Sequence, residues 1–173
     1  MSDVKYCFVR QEVGLDTPIC QYLDLDYLLR LLTTNKYFVR CKNCFSDKNE
    51  KLPPLKDMFP VYPADKKPDK SILERDMAAF EDKLALCKMR GYLPASCWTL
   101  RNKESDLMWS GYTTKLGACI RSTVRRFITT IDYTGYKLMY GRMSYNGYGY
   151  YQDELFSKDP AFADEEELRF YFV

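Results

Sequence analysis

Glu165, Glu167 and Arg169 recur at every second position near the C-terminus, and Lys158 lies a few residues before them. On an extended strand, residues two apart point the same way and sit about 6.5 to 7 Å from each other. Two carboxylates and a guanidinium on one face, with an ammonium nearby, could stabilise developing positive charge, orient an acceptor or hold an anion. The same residues can equally form an ion-pair set, which on an exposed surface is worth about 0.2 to 1 kcal/mol per pair. A second group lies mid-chain, in Met108-Trp109-Ser110-Gly111-Tyr112, where Trp109 and Tyr112 are three residues apart on a predicted short helix and share a side. The two rings could form a stacking wall for a planar ligand, or they could fill the core.

What the chain lacks narrows the chemistry. It contains no histidine, which removes His-based acid/base catalysis, the Ser-His and Cys-His nucleophile pairs and the commonest zinc ligand. Ser110 therefore has no imidazole to activate it. The seven cysteines are an odd number, and no secretory leader or membrane-length apolar run is present, so the expectation is a cytoplasmic protein with reduced thiols and no metal. Cys41-Lys42-Asn43-Cys44 has the CxxC spacing, but no second pair at that spacing completes a four-ligand zinc set. With 26 basic and 24 acidic residues, the net charge of +2 creates no global field for nucleic acid or membrane. Local basic clusters remain at Arg121, Arg125 and Arg126, and at Arg40, Lys42, Lys48 and Lys51; with Tyr148, Tyr150 and Tyr151 they could guide a polynucleotide.

A chain of 173 residues suits a single domain. A short strand is predicted near residues 4 to 9, and an amphipathic helix over Leu25, Leu28, Leu29 and Leu32, with Asp24 as N-cap and Asn35 as the stop. Tyr37 to Arg40 reads as a strand. Residues 51 to 70, rich in Pro and Lys, read as a surface excursion within the domain, and the capping box Ser71-Ile72-Leu73-Glu74 opens a helix that Gly91 closes. Cys97 to Leu100 and Gly117 to Ile120 read as strands around the tryptophan helix, a helix begins near Ser122, and a strand runs from Tyr136 to Tyr145. In the final strand Leu168, Phe170 and Phe172 alternate with Glu167, Arg169 and Tyr171, one set apolar and one polar. The expected fold is α+β: a bent or split antiparallel sheet flanked by the leucine helix and the Ser71 to Arg90 helix.

Several of these pieces together resemble an uncharacterised bacterial family, domain of unknown function 2971. They are Gln21-Tyr22, Leu25 to Leu32, Tyr37-Phe38 with Phe45-Ser46-Asp47, Met108-Trp109-Ser110-Gly111-Tyr112, Gly117-Ala118-Cys119-Ile120, Phe156-Ser157-Lys158 and Glu165-Glu166-Glu167-Leu168-Arg169. Leu23, Ser46 and Gly111 depart from the family's Arg, Asn and His at those places. The order of elements is similar, more distantly, to the ADP-ribosyltransferase fold. That resemblance implies an NAD-binding ADP-ribosyltransferase or NAD glycohydrolase, with a role in bacterial or phage conflict. In such a protein Glu167 would be the charge-stabilising or basic residue and Glu165 its helper. Arg169 and Lys158 would hold phosphate, and Trp109, Tyr112 and Tyr22 would hold the rings. A nucleotide is the implied ligand, with a nucleic-acid or protein acceptor and no membrane. The alternative is a noncatalytic module for a nucleotide, a nucleic acid or a protein, which Leu23 and Gly111 favour.

Overall fold

The computed structural model describes residues 7–8, 13–41, 69–72, 74–75, 78, 92–114, 116–132, 138–145 and 155–172. The chain divides into two compact units, Met1–Arg40 with Pro94–Val173, and Cys41–Leu93. In the second unit residues 70–72, 74, 75 and 78 are helical, where the capping box places a helix start. The Pro/Lys-rich segment from residue 51 to 68, Cys44, Cys87, Gly91, Phe45 to Asp47, and Tyr148, Tyr150 and Tyr151 lie outside the described residues.

The larger unit is mixed α+β. Its elements are β1 (Cys7–Phe8), β2 (Pro18–Asp24), α1 (Leu25–Thr34), β3 (Arg40–Cys41, at the boundary with the other unit), β4 (Pro94–Thr99), α2 (Asp106–Tyr112), β5 (Gly117–Thr123), α3 (Val124–Thr130), β6 (Leu138–Arg142), a 3-10 helix (Pro160–Glu165) and β7 (Glu167–Phe172). Six strands of a seven-stranded sheet follow one path in the order β1-β6-β7-β4-β2-β5. The pairings along that path are antiparallel except β1 with β6. The long ladders are β2 with β5 and β4 with β7; β2 and β4 meet at a single register pair, Cys20 with Thr99. The sheet is thus one path that nearly divides at that seam.

Alternation along β7 sorts the two faces. Leu168, Phe170 and Phe172 join Ile19, Trp98, Val124, Phe127, Ile128, Leu138 and Tyr140 in the main core. Phe127, carried by α3, stands 4.5 Å from Phe170 and 4.9 Å from Trp98, centroid to centroid. Such aromatic pairs add about 0.5 to 1.5 kcal/mol beyond their area. The helix α3 starts where expected, with the Thr123 hydroxyl accepting from the Arg126 amide. On this same face the Tyr37 hydroxyl donates to Gln21 Oε1 at 2.7 Å and bonds Ser96 Oγ at 2.6 Å, so these three polar side chains are partnered. Tyr37 belongs to no strand, however; residues 35–39 are irregular and β3 begins only at Arg40.

The leucine helix forms, and Asn35 ends it in the left-handed conformation (φ 53°) with its amide on the Leu31 carbonyl. Asp24 precedes it without capping, because its carboxylate instead accepts the Thr114 amide at 2.5 Å. No residue of α1 is fully buried, and Leu29 and Leu32 are 49% and 70% exposed. Periodicity predicted the helix, while burial of its apolar stripe depends on a partner that local sequence does not specify.

A close approach fixes the join between α2 and β5. A Cβ at Gly117 would lie 2.7 Å from Thr113 Cβ and Cγ2. The Thr113 hydroxyl is itself held on the Trp109 carbonyl at 2.6 Å, so it cannot yield freely. Gly117→Ala is expected to lower stability by about 1 to 3 kcal/mol, measurable as a shifted urea midpoint at unchanged slope.

Candidate functional site

The second face of the sheet carries the chemistry-bearing residues. Register places Glu167 opposite Thr99, Arg169 between Cys97 and Gly141, and Tyr171 between Ala95 and Met139. Thr99 in turn faces Cys20, so this face continues onto β2, where Cys20, Tyr22, Met108, Trp109 and Cys119 pack together. The helix α2 covers that part of the sheet.

Glu165 reaches the site by a route that strand alternation did not anticipate. It is the last residue of the 3-10 helix, which Asp159 caps by accepting the Ala161 amide at 2.9 Å and Pro160 opens. Glu166 then adopts the left-handed conformation (φ 44°), unusual for a residue with a side chain. The turn is held from both sides, since the Thr99 hydroxyl donates to the Glu165 carbonyl at 2.6 Å and the Leu100 amide to the Glu166 carbonyl at 3.0 Å. Glu165 and Glu167 meet because the chain turns between them, and β7 starts only at Glu167.

Four charged side chains close into one cluster. Lys158 Nζ donates to Glu165 Oε2 at 2.6 Å and to Glu167 Oε2 at 3.2 Å. Arg169 holds Glu167 with two bonds, Nε to Oε1 at 2.7 Å and an Nη to Oε2 at 2.9 Å. It also donates to the Tyr171 hydroxyl at 3.1 Å, which donates in turn to the Leu155 carbonyl at 2.6 Å. All four charged residues are buried, Arg169 to 1% exposure. Lys158 also lies 4.8 Å from the centre of the Phe162 ring. The formal charges sum to zero, which is what lets so many ions leave water.

Electrostatics holds Glu167 ionised. Burial works to raise the Glu167 pKa, but the Arg169 and Lys158 charges and bonds from Arg169 and Cys97 outweigh it and hold the carboxyl down at about 2. Burial works to discharge Lys158, yet Glu167, Tyr112 and Glu165 reverse this and its pKa rises above the lysine range. A carboxylate of this acidity accepts almost no protons near neutrality, so what Glu167 offers is fixed negative charge.

Tyr112 and Tyr145 border the cluster. Tyr112 is 42% exposed, yet its hydroxyl end is turned toward Glu165 and Lys158; burial is the main cause pushing its pKa above the phenol range, Lys158 opposes it, and the glutamates add to it. The Tyr145 hydroxyl accepts the Glu167 amide at 2.8 Å, replacing a strand partner beyond the end of β6. Burial chiefly pushes its pKa up to about 12.

Of the residues singled out from sequence, Glu165, Glu167, Arg169, Lys158 and Tyr112 come together. Trp109 and Tyr22 occupy the same face of the sheet as an edge-on pair, with centroids 4.8 Å apart, in the adjoining apolar cluster. Trp109 and Tyr112 therefore meet different neighbours and form no single wall. A side chain at Gly111 would meet open space. Tyr145, which sequence reasoning missed, had no signal in its tyrosine-rich surroundings; Cys97 was read as the start of a strand. Arg125 of one basic cluster pairs with Asp16 at 2.8 Å. Cys20, Cys41, Cys97 and Cys119 form no disulfide, and among the described residues no group of three or more His, Cys, Asp or Glu converges as a metal site. No described helix is long and apolar enough to cross a membrane. No protein-family model, curated protein or solved structure matches the chain.

Proposed function

We propose that the chain is an NAD-binding protein of the ADP-ribosyltransferase kind, with its reacting centre at Glu165. The observation that carries this reading is the asymmetry within the cluster. Glu167 has both oxygens engaged by Arg169 and Lys158, whereas Glu165 has one oxygen held by Lys158 and neighbours the partly exposed Tyr112. In this reading Glu165 faces the ligand, and Glu167 holds Lys158 and Arg169 while adding negative charge, the reverse of the roles that the family resemblance implies for the two carboxylates. Breaking a nicotinamide–ribose bond leaves positive charge on the sugar, and carboxylates already oriented in a water-poor site stabilise it without reorganising. Tyr112 supplies a stacking surface. The pyrophosphate would have to compete with Glu165 and Glu167 for Lys158 and Arg169, so the cluster is better suited to the ribose than to the phosphates. This departs from the phosphate-holding role that the family resemblance implies for the two cations. The setting implied by the resemblance, a conflict factor in the cytoplasm of a bacterium, is part of the same proposal.

One observation favours a noncatalytic module instead. Saturation of Glu167 by Arg169 and Lys158 is what a structural ion cluster needs, and such a cluster can support a binding surface without reacting. Thermal unfolding with added NAD tests binding, since a ligand specific to the folded state at one hundred times its Kd contributes about 2.7 kcal/mol. NAD is expected to raise the midpoint of the wild-type protein and to do so less for Tyr112→Ala. Equal shifts in both would remove Tyr112 from the site, and no shift at millimolar NAD would remove NAD as the ligand.

A further inference from the structure

A separate surface at the end of α1 carries an inference independent of the NAD reading. Asn35 turns the chain in the left-handed conformation, and the next residues divide. Tyr37 goes inward, 5.5 Å from Phe127, while Phe38 stays 57% exposed and lies back along the helix. There it stacks on Tyr27 at 6.1 Å with the planes 22° apart. Arg30 stands over Phe38 at 6.0 Å, and Arg40 over Tyr27 at 5.7 Å, with a hydrogen bond from Arg40 to the Tyr27 hydroxyl at 3.0 Å. The result is a ladder on the surface in which a guanidinium flanks each end of a ring pair, with the exposed Lys36 beside it.

This surface is basic. Among the described residues no carboxylate lies within ion-pair distance of Arg30, Lys36 or Arg40. The Asp24 carboxylate feels Arg40 at longer range but is itself bonded to the Thr114 amide. An exposed phenylalanine has no reason of its own to stay in water, and guanidinia attract phosphates as readily as they stack on rings. A partner that alternates flat apolar groups with negative charge satisfies both features. A plain apolar helix or strand would satisfy only the ring.

We propose that the Arg30–Phe38–Tyr27–Arg40 ladder is a docking surface for single-stranded nucleic acid. A base takes the place of Arg30 on the outer face of Phe38, and the released Arg30, with Arg40 and Lys36, takes the flanking phosphates. A duplex, whose bases are already stacked on each other, offers no ring to Phe38 and binds through charge alone.

Fluorescence anisotropy of the full-length protein with a labelled single-stranded oligothymidylate, titrated from low to moderate salt, tests this. Stacking on one aromatic ring predicts that Phe38→Ala weakens binding by roughly 5- to 100-fold, and that Phe38→Trp preserves it. Each phosphate contact to a single strand contributes about 0.7 to the slope of log affinity against log salt, so the Arg30→Ala/Arg40→Ala double variant should lose about 1.4 from that slope. Absence of binding at low salt overturns the proposal and leaves the surface to a protein partner. Binding that neither Phe38→Ala nor the double variant changes overturns it as well, and so does a duplex of equal length that binds as tightly with the same dependence on Phe38. Phe38 is exposed, so an unchanged unfolding midpoint confirms that the variants are folded; if Phe38→Ala is not, the Phe38→Trp and double variants decide.

Discussion

Arg169→Ala is expected to destabilise the protein by about 3 to 5 kcal/mol, the usual cost of stranding a buried charge whose partner has been removed. The guanidinium makes two bonds to Glu167 and one to the Tyr171 hydroxyl, at 1% exposure, so water cannot replace it without opening the sheet face. Arg169→Lys is not a rescue, because an ammonium cannot make the paired bonds of the planar fork. Reversible urea unfolding at neutral pH measures the loss. A change below 1 kcal/mol would mean that the cluster is hydrated and its buried geometry is not the one described. Removing the pair together, as Glu167→Leu/Arg169→Met, should cost far less than Arg169→Ala, since apolar replacement of both partners of a buried ion pair is often neutral or stabilising.

The second large effect is acid sensitivity. Glu167 titrates at the ordinary carboxylate value of 4.5 when unfolded and at about 2 when folded. A depressed folded pKa means that the unfolded state binds the proton first, so stability is fully present above pH 4.5 and falls as the pH drops toward 2. At about 1.4 kcal/mol per pKa unit, the contribution lost over that window is on the order of 3 kcal/mol. Lys158 has the opposite sign: its raised pKa contributes stability below the ordinary lysine value, which fades as the pH rises through the folded one. Urea midpoints recorded from pH 2 to 7 should therefore climb steeply up to about pH 4.5 and then flatten, and Glu167→Gln should remove much of the climb. An equally steep climb in that variant would assign the acid sensitivity to other carboxylates.

The comparison of sequence with structure turns on how local each determinant is. The alternation of β7 was legible, because period-two patterning is written in six consecutive residues, and so was the Asn35 stop, which needs only one residue able to take positive φ. The polar side of β7 was legible as a set but not as a buried one. Its cover comes from Leu155 to Lys158 and the 3-10 helix, and its charge balance from Lys158, nine residues before Glu167. The 3-10 helix itself was marked by Asp159 as cap and Pro160 at the first position, but the regular spacing of Glu165, Glu167 and Arg169 suggested a longer strand. For α1 the period was legible and the extent of burial was not, because a stripe of leucines specifies a helix without specifying its partner. The proximity of Tyr112 to Glu165 depends on α2 lying across the second face of the sheet, a placement no residue spacing encodes.

The account stands or falls on whether Glu165 does chemistry that Glu167 does not. Release of nicotinamide from NAD, followed for the wild-type protein and for Glu165→Gln with its unfolding midpoint checked, measures this directly. Slow release by the wild type that drops by about 10² to 10⁴-fold in Glu165→Gln is the predicted result, the range expected for a positioned carboxylate. Wild-type release that persists unchanged in a folded Glu165→Gln protein would contradict the assignment, and no release by the wild type under any condition would leave the cluster as structure alone.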